Sequence, residues 1–210
     1  MARAKDPAIR TQILERAAHM LRVREPITLR SLVAGTGVST MAVYTYFGGM
    51  DGMWKALRQE GFTRLAASFA SVAATPDAVA DLTAYVASYV RLALAHPDLY
   101  RVMFDANFEL EDLAAADATL ECMVDAARRA RDARRFEPGV VPLDLATQCW
   151  AIGHGLVSLV TNGPLPADTL RHAVPLLTAV FIGVGDEPDR CRQSVDGGWG
   201  REPVPISDLA

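Results

Sequence analysis

TLRSLVAGTGVSTMAVYTYF, residues 28–47, reads as two short helices joined by one glycine turn. Thr28 stands where a hydroxyl can take up free backbone N–H groups, and Ile27 and Leu32 flank it as a hydrophobic staple. Eleven residues on the device recurs, with Ser39 as the cap, Val38 and Val43 as the staple, and Gly37 just upstream. Glycine there supplies the left-handed backbone angle that a sharp interhelical turn needs. Two caps around a glycine fit a helix-turn-helix whose second helix enters the major groove of DNA. An ordinary αα-hairpin has the same outline, so spacing alone leaves both readings open.

Outward from this stretch the chain reads as all-α, about nine helices with no β pattern and no internal repeat. Asp6-Pro7 is a cap and first helical position, followed by the apolar stripe Ile9, Ile13, Leu14, Ala17 and Leu21, which stops before Glu25-Pro26. Further helices are expected from Asp51 to about Val72, Ala78 to Ala95, Asp98 to Phe104, Asp112 to Arg135, Leu143 to Thr161 and Ala167 to Val184. The last two flank an Asn162-Gly163-Pro164 turn. Three parts follow: a three-helix head over residues 1–50, a helical body over 51–185, and a tail over 186–210. The tail is rich in Pro, Gly and charge and is expected to be flexible.

The 210 residues are half apolar, which suits a compact globular protein and excludes a disordered chain. A net charge of −4 conceals an asymmetry. Residues 1–64 hold ten Lys/Arg against five Asp/Glu (+5), and residues 65–210 hold eleven against twenty (−9). A basic head favours a polyanionic partner, since binding releases counterions from phosphates. Three well-separated cysteines fit a reducing compartment, with Cys122 and Cys149 as core thiols and Cys191 in a polar, accessible setting. No signal peptide is visible and Ala173–Gly185 is too short to cross a bilayer, so a soluble cytoplasmic protein is expected. Arg128, Arg129, Arg131, Arg134 and Arg135 crowd the end of one helix. A solvated helix end favoured by its dipole accounts for them better than a second DNA contact.

No nucleophile elbow, phosphate loop or metal-ligand cluster occurs, and Cys149 and His154 lack a third partner, so no enzyme, cofactor or metal is expected.

Residues 6–185 resemble the TetR family of one-component transcription regulators. The resemblance rests on Gly37, Val38, Ser39, Tyr44 and Phe47, then Asp51, Met53 and Leu57, then His96-Pro97-Asp98-Leu99-Tyr100-Arg101-Val102-Met103-Phe104. Trp150-Ala151-Ile152-Gly153-His154-Gly155 is similar to a ligand-domain subgroup named for its Trp, His and Gly (WHG). The resemblance implies a DNA-binding head and a ligand-binding and dimerisation body, a repressor that binds a palindromic operator as a homodimer and is released by a small molecule. DNA would be met by Thr28, Arg30, Ser39, Thr40, Met41, Ala42, Tyr44, Thr45 and Tyr46, with Lys55, Arg3 and Lys5 as distant cations. Arg30 is suited to a bidentate guanine contact. Val43 and Phe47 would face the core, and Tyr44 suits either a base contact or a packing role.

The effector pocket would be walled by Tyr85, Tyr89, Met103, Phe104, Phe108, Trp150 and His154, a lining that favours a hydrophobic or aromatic molecule. His154 also reads as a satisfied structural histidine. Leu156, Leu159, Val160, Leu176, Leu177, Val180, Phe181 and Val184 would form the dimer face, where Gly153 and Gly155 allow close approach. Met50 stands where the family carries a phosphate-gripping lysine, and Val33 and Thr36 stand in place of small alanines. The alternative is therefore a dimeric small-molecule-binding module with weakened or lost DNA binding.

Overall fold

A computed structural model describes residues 6–105, 109–161 and 163–201. Among them ten α-helices occur: α1 Pro7–Arg22, α2 Leu29–Val33, α3 Thr40–Phe47, α4 Met50–Ala70, α5 Ala78–Ala95, α6 Pro97–Met103, α7 Ala114–Asp132, α8 Pro142–Thr161, α9 Ala173–Gly183 and α10 Pro188–Trp199. A 3-10 segment, Ala167–His172, precedes α9. No strand occurs among the described residues. The chain divides into two compact units, Met1–Arg64 with His96–Ala115, and Leu65–Ala95 with Ala116–Ala210. The sequence-based boundary at 50/51 therefore falls inside the first unit, and the division itself lies within α4.

In the first unit the apolar stripe of α1 closes over the helix-turn-helix. Ile13, Leu14, Ala17 and Met20 join Leu32, Val43, Phe47, Met53, Leu57, Leu99 and Val102 in one core. Each fully buried Leu, Met or Phe side chain contributes about 1.5–3 kcal/mol. Caps settle where the helices start. The Asp6 carboxylate accepts from Ala8 N–H at 2.9 Å, and Thr28 Oγ1 accepts from Ser31 N–H while Ser31 Oγ accepts from Thr28 N–H, a reciprocal capping box. Ser39 occupies the capping position of α3 but its side chain makes no capping bond. Gly37 has the expected left-handed backbone (φ 73°), and Gly35 shares it.

In the second unit α5 is the central helix, packed by α8 and α10. By length and composition it could cross a membrane, with a mean hydropathy of 1.3, yet 78% of it is buried. It also carries a fully buried carboxylate, Asp81. Asp81 accepts from Thr75 N–H and Oγ1, Arg129 and Arg201 at 2.7–2.9 Å. Burial would raise its pKa, but these donors, Thr75 first, outweigh burial and hold the carboxyl below its usual range.

A second buried polar cluster lies beside it. Arg135, 4% exposed, grips both carboxylate oxygens of Asp186 at 2.6 and 2.7 Å and donates to Asp77 and to Ser194 Oγ. Ser194 in turn donates to Asp77 at 2.6 Å. The Arg-rich end of α7 is thus the expected solvated helix end only in part: Arg128 and Arg134 are exposed and Arg131 is half-buried, but Arg129 and Arg135 serve buried carboxylates. The helix stops at Asp132, Arg135 turns inward, and Arg129 pairs with Asp81.

The expectation of a flexible tail from residue 186 is also corrected over residues 188–199, which form α10. Glu187 caps it by accepting from Asp189 and Arg190 N–H, and Cys191, Ser194, Val195 and Gly198 form its buried face. A Cβ on Gly198 would lie 2.2 Å from the carbonyl oxygen of Ala80, so glycine lets α10 touch the α5 backbone. Arg91 donates to the carbonyls of Trp199 and Arg201 and finishes the helix. Too few apolar residues mark this helix for periodicity to reveal it, because salt bridges and glycine contact hold it. Cys191 is accordingly buried and its thiol is pushed up to about 12 by burial, as is Cys149.

Candidate nucleic-acid interface

The Thr28 capping box and the glycine turn precede α3, which sets Val43 and Phe47 inward and its opposite face in solvent. Met41 is 65% and Tyr44 51% exposed, so about half of the Tyr44 side chain is open to solvent and half is covered. Its ring lies beside Gly49, where a Cβ would be 3.6 Å away. Thr28, Arg30, Ser39 and Thr45 are exposed and Thr40 is half-buried. Arg30 is an exposed residue of α2. A helix with a long apolar and an aromatic side chain on its outer face, and hydroxyls at its start, can reach base edges while the hydroxyls meet phosphate oxygens.

Three expected contacts are already engaged within the unit. Tyr46 Oη accepts from the backbone N–H of Asp6 at 2.8 Å, which ties the start of α1 to α3. Ala42 is half-buried against the core. Lys55 pairs with Glu109 at 3.0 Å. Met50 also packs against the apolar core, so its side chain is a structural replacement for the family's lysine. Arg3 and Lys5 lie outside the described residues.

The residues expected to wall an effector pocket fall in both units. In the first, Met103 is buried against Gly61, and the Phe104 ring packs on Phe62 and Tyr100. Phe108 lies outside the described residues. In the second, the Tyr85 ring packs on Phe69 with centroids 4.9 Å apart, and Tyr89, Trp150 and His154 come together. Tyr89 Oη and His154 Nδ1 are 2.8 Å apart, and Ser158 Oγ is 3.5 Å from His154 Nε2, at the outer limit of a hydrogen bond. Burial holds His154 below its ordinary pKa, so the ring is neutral at pH 7, with one nitrogen accepting and the other donating. Tyr85 is pushed up by burial and by Cys122 beside it. Ser158 was not singled out from the sequence, although its i+4 spacing from His154 was the available signal.

The expected dimer residues separate into two groups. Leu156, Leu177 and Phe181 face the core of their own unit, which removes them from any intersubunit surface. Leu159 and Leu176 are exposed, and Val160, Val180 and Val184 are half-buried. With Ala151, Gly155, Ala179 and Gly183 they leave open apolar faces on α8 and α9, which pack against one another. Gly153 instead faces α5, where a Cβ would lie 3.1 Å from Val86.

Helices α2 and α3 thus form a helix-turn-helix with an exposed second helix, in a chain that continues into a helical second unit. Residues 82–181 match the family described as "Tetracyclin repressor-like, C-terminal domain". No curated protein gives a match. Among solved structures, a protein of unknown function from Rhodococcus sp. RHA1 is 23% identical with a TM-score of 0.71, over 89% of this chain and all of that one. The TetR-family transcriptional regulator PfmR from Thermus thermophilus is 17% identical with a TM-score of 0.62, over 79% of this chain and 96% of that one. RolR, solved with its ligand resorcinol, is 14% identical with a TM-score of 0.60, over 95% and 97%. Residues 82–181 are thus similar to the C-terminal domain of tetracycline-repressor-like proteins, and the chain shares the all-helical fold of the TetR-family regulator PfmR.

Proposed function

We propose that the chain is a ligand-responsive transcriptional repressor that binds a palindromic operator as a homodimer in the cytoplasm. The exposed outer face of α3, carrying Met41 and Tyr44, is the observation that carries the DNA-binding reading, with Arg30 exposed on α2. The open apolar faces of α8 and α9 support the dimer, since two-fold pairing covers both at once and presents two recognition helices to two half-sites.

The effector is a small hydrophobic or aromatic molecule held in the second unit near Tyr89, Trp150 and His154. RolR, of the same fold, is solved with an aromatic ligand of this kind, resorcinol. A phenol or carbonyl oxygen would compete for the Tyr89–His154 hydrogen bond. By linkage, an effector that weakens operator binding must itself be weakened by operator to the same factor. With α4 running from one unit into the other, a coupling of roughly 1–3 kcal/mol corresponds to about a 5- to 150-fold change in operator affinity.

A mobility-shift titration of the protein on DNA upstream of its own coding sequence tests the reading, with Arg30→Ala as the comparison. Arg30→Ala should cost roughly 1–3 kcal/mol and relax preference at one base pair per half-site. Absence of any shifted complex would favour the alternative, a dimeric small-molecule-binding module, which the inward packing of Met50 supports.

A further inference from the structure

In the first unit, Glu15, His19 and Arg22 of α1, Arg64 of α4, and His96 and Asp98 at the start of α6 surround a cavity of about 180 Å³. Sites for drug-sized ligands span about 300–1,000 Å³, so this space suits only a small group. Its walls are rich in donors. Arginine can only donate, so the 2.9 Å contact from Arg22 Nη2 makes His19 Nδ1 the acceptor and leaves the proton on Nε2. The two lining guanidiniums are only partly neutralised. Glu60 takes the Nε edge of Arg64 at 2.9 Å, while Asp98 is drawn away by Arg101 at 3.0 Å.

From this geometry we infer that the α1–α4–α6 cavity is a binding site for a small oxyanion, a phosphate or carboxylate group held by Arg22, Arg64 and the His19 imidazole. The field at His96 agrees with it: burial, then Arg64, then Arg22 hold its pKa down, with no carboxylate acting the other way. Guanidinium groups match the planar and forked geometry of such anions. A bound anion bridges α1 to α4 and α6 and so braces the scaffold on which the helix-turn-helix rests. It also favours the charged form of His96, so anion binding tightens as pH falls through the titration of that ring. The other titratable and charged groups lining the cavity with His96 are Glu15, His19 and Arg22 from α1, Arg64 from α4 and Asp98 from α6. This site does not depend on the effector reading of the second unit.

The full-length protein is titrated with inorganic phosphate and, separately, with acetate, each at constant ionic strength in chloride. The His96 ring resonance is followed by NMR, with His96→Asn assigning it. A saturable shift is expected, with the half-saturating concentration raised about tenfold or more in Arg22→Gln and in Arg64→Gln. Arg22 is exposed, so the first variant retains the fold, and its thermal unfolding checks this. Saturation by phosphate alone assigns a phosphate site, and saturation by acetate alone a carboxylate site. A shift that grows linearly with either anion, or half-saturation unchanged in both variants, overturns the inference.

Discussion

Replacing Arg135 with methionine removes the charge and the donors but keeps much of the side chain's length. In the folded chain it leaves the Asp186 carboxylate, 1% exposed, without the two nitrogens that hold it at 2.6 and 2.7 Å. It also strips one donor each from Asp77 and Ser194. Breaking one side of a buried ion pair costs about 3–5 kcal/mol, because the remaining charge stays desolvated. For a chain of this size each kcal/mol lowers Tm by roughly 2–4 °C, so a fall of about 6–20 °C is expected. Thermal unfolding followed by circular dichroism measures it. Arg135→Met combined with Asp186→Asn should recover part of the loss, since the stranded charge is gone. The cluster gathers the turn after α7, the start of α5 and α10, so the same variant should speed limited proteolysis within residues 188–199. A loss below about 1 kcal/mol, or a double variant no more stable than the single, would refute the view that this ion pair holds the second unit together.

Four further outcomes are expected. Met50→Lys should tighten operator binding and steepen its salt dependence by roughly one unit of slope, measured by titrations at several salt concentrations; an unchanged slope would place no phosphate near residue 50. Gly198→Val should destabilise by at least about 1–3 kcal/mol, since its first side-chain carbon would meet the Ala80 carbonyl at 2.2 Å; urea unfolding with Gly197→Ala, a neighbour whose Cβ meets nothing, is the control. Burial lowers the His154 pKa in the folded state, so the unfolded chain takes up its proton first and stability is lost as pH falls below the ordinary 6.5. His96 shifts in the same direction, so it is the difference between wild type and His154→Gln across pH 7 to 5 that should narrow. Leu159→Glu and Leu176→Glu should shift the solution mass toward the monomer with little loss of helix content, because both side chains are already in water.

The helix-turn-helix was legible because its determinants are local. Thr28 and Ser39 mark helix starts, Gly37 marks the turn, and Val43 with Phe47 gives the inward stripe within a span of twenty residues. The candidate DNA face was implied by the family resemblance of the same stretch, and Arg30, Met41 and Tyr44 are exposed. The bond from the Asp6 N–H to Tyr46 Oη was not legible in the sequence, because the two residues are forty positions apart. The effector candidates were legible as aromatic residues on helical faces, but the Tyr89–His154 bond joins residues sixty-five positions apart. Half-apolar helices such as α8 and α9 do not reveal which of their leucines a single chain buries. Leu156 and Leu177 turned inward, while Leu159 and Leu176 stayed out.

Residue order by itself determined the all-helical class, the caps, the interhelical turn and the apolar stripes, since these depend on neighbours within a few positions and on the 3.6-residue period. Tertiary structure alone decided that Asp81 and Arg135 are buried, that a glycine- and charge-rich segment after residue 187 becomes a packed helix, and which apolar side chains remain for a partner. A buried charge is tolerable only where several donors or acceptors converge on it, and those converge from Thr75, Arg129, Asp186, Ser194 and Arg201, residues that only the folded chain brings to one place.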